Sequence, residues 1–280
     1  MLALLKRNFL LYFRNRSGVF FSLLGALISF VLYIIFLQKN LTDAWAQLPN
    51  SGPVLNNWLM SGTLAVTGIT TSLAALTQLV KDREHQVDQD LYLSDQGKWR
   101  LPFSYLTSAI IISFFMQALM YMLMCGYFRE VPALSLLPEV LLIMLLSSLL
   151  SSLVNAIFVY FFHSVDSLGK FSTIVGTASG FLVGTYVPLG VLPDFAQLLM
   201  KCTPATYIAA LYRQVLMKEA LNETFKGQDN LLQEFQEKMG IQLKWQALLT
   251  KEQTYLIVLG GILLALGIWI SLAKRSSKRK

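Results

Sequence analysis

Charge is scarce in this sequence. Only 14% of the 280 residues are charged, whereas 55% are hydrophobic and the mean hydropathy is +0.54. That balance excludes an ordinary water-soluble domain and makes the bilayer the expected solvent. Cysteine is almost missing: Cys125 and Cys202 stand alone, outside any C-x-x-C or Cys/His grouping, which excludes a zinc site and a disulfide framework. The two thiols read either as free or as a single bridge. His85 and His163 lie far apart and in no ligand spacing with carboxylates, so no metal is expected. The phosphate-binding signature G-x-x-x-x-G-K-[ST] is also missing, because the Gly-Lys pairs at 97–98 and 169–170 lack both the earlier glycine and the following hydroxyl. The net charge of +7 gathers mostly at the two chain ends beside apolar runs, which points to anionic lipid and away from nucleic acid.

What is abundant is apolar length. About 20 apolar residues in a helix cross a hydrocarbon core of roughly 30 Å, since only a helix satisfies its own backbone there. Six stretches qualify, at about 18–38, 58–80, 103–128, 140–162, 171–192 and 254–273, and they predict one all-α membrane domain over residues 1–280. The fifth is the poorest, rich in glycine and threonine. None of the six carries Asp, Glu, Lys or Arg in its interior. With both termini inside, fourteen lysines and arginines flank the inner side (Lys6, Arg7, Arg14, Arg16; Lys81, Arg83, Lys98, Arg100; Lys170; Lys274, Arg275, Lys278, Arg279, Lys280), against Lys39 and Arg129 in the short outer loops. Positive charge stays inside, so both termini are expected in the cytoplasm and 193–253 outside. No cleavable signal peptide is expected, the first apolar run being too long for one. Residues 1–16 place Leu2, Leu5, Phe9, Tyr12 and Phe13 on one helix side and Arg7 and Arg14 opposite, which predicts an interfacial helix.

The fifth stretch leaves the membrane as GTYVPLGVLPDFAQLLMKCTPATYIAALYR, residues 184–213. Pro188 removes a backbone donor, Pro193 and Asp194 stand ready to open a short helix, and Pro204 to open another. Short helices broken by proline at that depth read as re-entrant or gate helices. Gly184, Pro188, Leu192 with Pro193, Pro204 with Ala205, Tyr207 and Arg213, set within the six-span layout, resemble the permease subunits of bacterial ABC type-2 exporters. The resemblance covers essentially the whole chain; a polar insert at about 218–252 departs from it and reads as an exit cap or a solvated hairpin.

The resemblance implies export through the plasma membrane by a pair of permeases, identical or paralogous, driven by separate ATPase chains that hold ATP and magnesium. It implies that spans one, two and five surround the pathway, which makes Thr63, Thr67 and Thr70 candidate lining. An uncharged lining suits an amphipathic drug, antimicrobial peptide or lipid-like cargo; polysaccharide or lipid-linked glycan export is the alternative. Gly176, Gly180 and Gly184 recur every four residues, as in close helix packing, and the resemblance puts them at the centre of the permease dimer. Residues 81–102 carry nine nearly cancelling charges, with Leu91, Tyr92, Leu93 and Trp99 as apolar anchors. By resemblance this stretch holds the coupling helix for the ATPase, and Pro188, Pro193 and Pro204 shape the outer gate. A rhomboid-like protease is the rival six-span class, but GTASGF at 176–181 has Thr177 where G-x-S-G requires its first glycine, and the sixth span lacks a histidine. A channel or secondary transporter would normally place charge near the midplane, and none is there.

Overall fold

The computed structural model describes residues 1–37, 51–93, 97–129 and 134–279, with the side chains of 51, 92, 93, 97–99 and 276–279 outside the description. All regular structure among them is helical apart from one antiparallel bridge between Lys244 and Leu248. The helices are α1 (Leu2–Arg14), α2 (Arg16–Leu32, prolonged by a π turn Tyr33–Leu37), α3 (Ser51–Glu84), α4 (Val87–Leu93), α5 (Gly97–Phe128), α6 (Leu137–Val159), α7 (Val165–Leu182), α8 (Asp194–Cys202), α9 (Pro204–Leu216), α10 (Lys218–Thr224), α11 (Asp229–Lys238) and α12 (Lys251–Arg279).

Among the described residues, five helices are long and apolar enough to span a bilayer: Arg16–Phe36, Gly52–Glu84, Arg100–Phe128, Leu137–Val159 and Lys251–Arg275. They match the first, second, third, fourth and sixth expected spans. Helix α3 is the axis of the bundle, with 78% of its apolar window buried, while α2 and α12 lie outermost at 28% and 17%. The chain ends and α1 gather at one end, which we call basal, around Leu4, Leu101, Val159, Leu168 and Trp269. The opposite end is the cap end.

The fifth stretch differs from expectation. Helix α7 stops at Leu182, ten residues early, and is not among the five. Its terminator is Gly184, not Pro188. Gly184 adopts φ +71°, its N–H bonds the Phe181 carbonyl at 3.0 Å, and the Thr185 N–H bonds the Gly180 carbonyl at 2.8 Å. This is a Schellman ending, for which a left-handed residue is needed and glycine costs least. Pro188 instead precedes a 3₁₀ turn at Leu189–Val191. Pro193 and Pro204 do open α8 and α9; Asp194 enters the first turn of α8, with Pro193 and not Asp194 in the capping position.

The insert is a folded cap. Phe225, Phe235, Met239 and Ile241 pack with Met217 and Leu221 onto Tyr33, Val54, Leu55 and Trp58, a cluster fully removed from solvent. The solvated-hairpin reading is set aside on that burial. No disulfide joins Cys125 to Cys202, which sets aside the bridge.

Candidate functional site

A cleft of about 650 Å³ runs between α2, α3 and α7. Phe21, Leu24, Ile28, Leu73 and Phe181 supply its apolar wall, and Ser22, Thr70, Thr77, Ser172, Thr173 and Thr177 its hydroxyls. Among the described residues its lining includes no acid, lysine, arginine or histidine. The hydroxyls lean back on their own helices: Thr70 donates to the Val66 carbonyl at 3.2 Å and Thr177 to Thr173 at 3.0 Å. Such back-bonding leaves an oxygen surface of low polarity, suited to a partner that is mostly apolar. Of the three expected lining threonines, only Thr70 faces this cleft. Thr63 and Thr67 are completely buried inside the bundle, on the faces of α3 that carry other helices. A second cleft, of about 420 Å³ and lined by Leu150, Phe158, Phe171, Ile174 and Ala205 among others, flanks α7 on its other side.

The three glycines do not share one helix face, because Gly184 lies past the helix end. A methyl group on Gly176 would meet nothing within 4 Å, whereas one on Gly180 would strike the ring of Tyr186. Tyr186 thus folds back over α7 and lies against Phe181, ring centroids 4.7 Å apart, where it closes the cap end of the cleft. Helices α2 and α7 meet at Gly25, whose missing Cβ would sit 3.2 Å from the Gly176 carbonyl oxygen.

Behind this closure stands Arg213 of α9, 1% exposed. Its Nη2 donates to the carbonyls of Val183 at 3.1 Å and Gly184 at 2.8 Å, and its Nη1 to that of Gly240 in the cap at 3.0 Å. The guanidinium also lies 5.2 Å from the ring centre of Trp58, whose indole N–H reaches the Met239 carbonyl at 2.8 Å. Carbonyls at a helix C-terminus carry partial negative charge, and the aromatic face adds to it, so this buried cation is balanced by dipoles. Pro188, Pro193 and Pro204 shape the turns around this point, while Arg213 fastens them.

At the basal end α4 packs between the ends of α3 and α5. Leu91 is half-buried against the basal core, so part of this expected anchor is spent within the chain. Tyr92 and Leu93 lie on α4 and Trp99 in the first turn of α5, with side chains outside the description. Asp82 is 4% exposed and accepts from both terminal guanidinium nitrogens of Arg7, Nη1 at 2.7 Å and Nη2 at 2.8 Å, with further bonds from Gln78 at 2.8 Å and the Tyr105 hydroxyl. The hydrogen bond that Arg7 donates to Asp82 raises the Arg7 pKa further, holding it charged. Helix α1 is therefore docked differently from expectation: Leu4 and Asn8 face the bundle, Arg7 points inward, and Leu2 is 83% exposed. A buried carboxylate needs a partner, and that need outweighs the apolar pattern of α1.

Ser148 and Asn155, uncharged polar residues inside an apolar run, are legible in the sequence as packing positions, and the structure joins them to an interior network whose other members, Gln117 and Tyr212, the residue pattern does not single out. Gln117 of α5 bonds Ser148 of α6 at 2.8 Å and accepts from Tyr212 of α9 at 2.9 Å, and Asn155 of α6 bonds the Ile69 carbonyl of α3 at 2.9 Å. Tyr207 accepts the indole N–H of Trp245 at 3.0 Å, tying α9 to the cap. A signal was available: uncharged polar residues inside apolar runs mark contacts between helices.

No curated protein matches the chain. The sequence model of the family described as ABC-2 type transporter matches residues 1–217, from α1 through the cleft-forming helices to the end of α9, and stops where the cap begins. With more than half its length so matched, an all-α architecture and five apolar spanning helices, this chain belongs to the ABC-2 type transporter family and is an integral membrane permease subunit of an ABC transporter.

Proposed function

We propose that the chain exports an amphipathic or lipophilic cargo through the cleft between α2, α3 and α7, powered by separate ATPase subunits that bind ATP and magnesium and dock on α4. In this reading the basal end faces the cytoplasm of a bacterial plasma membrane and the cap stands outside. Two permeases, identical or paralogous, bring their α7 helices together, with Gly176 on the contact. The observation that carries the cargo class is the lining of the cleft: apolar walls, back-bonded hydroxyls and, among the described residues, no charge. A cargo with an apolar body gains about 25 cal/mol per Å² buried there, whereas a bare ion finds nothing to replace its hydration.

The test begins with purification of the chain together with any ATPase that it binds, followed by reconstitution. Tyr92→Ala is expected to weaken ATPase association by roughly thirtyfold, the scale of losing an interface anchor of about 2 kcal/mol. Leu91→Ala mixes that loss with basal packing. Thr173→Trp, which fills the cleft, should leave association intact and stop ATP-dependent movement of a lipophilic dye. Movement of a soluble glycan with no effect on dyes would overturn the cargo assignment.

A further inference from the structure

Three consecutive residues at the basal end of α3 each hold a different neighbour. Asp82 takes Arg7 of α1 and Tyr105 of α5, as described. Arg83 donates from Nη1 to the carbonyls of Tyr160 at 3.2 Å and Phe162 at 2.8 Å, just past the end of α6. Glu84 accepts the backbone N–H of Val165, the first residue of α7, at 3.0 Å. A helix leaves four carbonyls unpaired at its C-terminus and four N–H groups at its N-terminus. Ser164, in the capping position of α7, makes no side-chain cap bond. Arg83 and Glu84 therefore cap both helices from outside, cation at the C-terminus and carboxylate at the N-terminus, as the helix dipoles favour.

This clamp leads into α4 without slack. Only His85 and Gln86 intervene, Gln86 turns the chain at φ +59°, and its carbonyl accepts from the Gln89 N–H at 3.0 Å. At the receiving end, α7 has clefts on both flanks, so its sides are less restrained than its tips. One tip is fixed by Arg213, the other by Glu84.

We propose that Arg83 and Glu84 are positioning residues that carry a displacement of α4 into the basal tip of α7, so that the ATPase opens and closes the cleft by swinging its α7 wall. The proposal rests on the reading of α4 as the ATPase-docking helix. Asp82 holds α1 and α5 to the same point, and the motion is then one of α7 against that frame.

The experiment uses the full chain with its copurified ATPase in vesicles, with Cys125→Ser and Cys202→Ser and a single reporter, Thr173→Cys, on the cleft wall of α7. The rate of labelling by a water-soluble maleimide is measured without nucleotide and with ATP plus vanadate. The parent should show a nucleotide-dependent change in rate. Arg83→Met with Glu84→Ala should keep the ATPase bound and hydrolysing while that change shrinks about tenfold or more, the scale of losing a charge-assisted hydrogen bond. Glu84→Ala alone, at an exposed position, is the milder variant and should act in the same direction. Glu84→Gln keeps an acceptor for Val165 and Arg83→Lys keeps a donor, so both should retain the response. A full response in the double variant overturns the proposal, as does loss of ATPase binding in Glu84→Gln, which would put that carboxylate on the ATPase. Unaltered ATPase association in Tyr92→Ala is a separate result: it removes the input at α4 and overturns both readings.

Discussion

Gly180 and Gly176 look equivalent in the sequence, four residues apart on one helix, yet a methyl group has opposite consequences at the two. At Gly176 the added Cβ meets nothing within 4 Å, so Gly176→Ala should gain the helix-propensity difference of about 0.5–1 kcal/mol in the isolated chain. At Gly180 the Cβ enters the Tyr186 ring, and Gly180→Ala should cost roughly 1–3 kcal/mol as overpacking. Thermal unfolding in detergent measures both signs. Tyr186→Ala in the Gly180→Ala background should recover most of the loss, and a purely additive cycle would show that the two side chains do not meet. If Gly176 lies on the contact between two permeases, its alanine variant should also weaken their association while stabilising the single chain.

Among the elements, the cap and the broken end of α7 are joined through one side chain. Arg213→Met would strand the carbonyls of Val183, Gly184 and Gly240, each costing about 1–3 kcal/mol unpaired, offset in part by relief of a buried charge. The expected outcome is a cap that trypsin cleaves readily at Lys238 and Lys244 while the spanning helices stay protected. Arg213→Lys should be intermediate, since an ammonium cannot fork across three carbonyls. Trypsin resistance equal to that of the parent in both variants would show that Arg213 does not hold the cap. The sequence made five of the spans legible through apolar length, and Pro193 and Pro204 through backbone chemistry. It did not reveal the early end of α7, because a Schellman ending depends on the φ of Gly184 and on carbonyls held by a residue 29 positions later. It placed Thr63, Thr67 and Thr70 together because they share α3, and could not say which of its faces neighbouring helices cover. Docking of α1 was hidden for the same reason: its partner Asp82 lies 75 residues away.

At the scale of the whole molecule, the uncharged cleft has an electrical consequence. Moving one elementary charge across a membrane potential of 100 mV takes or releases about 2.3 kcal/mol. The described wall of the cleft contributes no charge that could move in that field. The α7 wall itself, swinging between states, carries Asp166 and Lys170 only at its basal tip, paired with each other at 2.7 Å. The protein's own step should therefore be voltage-silent, and a neutral cargo should cross at the same rate in vesicles clamped with potassium and valinomycin at 0 or 100 mV. Any dependence that remains belongs to the cargo. The slope of log rate against potential would then follow the charge that the transported molecule carries through the field, and the transporter would report on the valence of its own substrate.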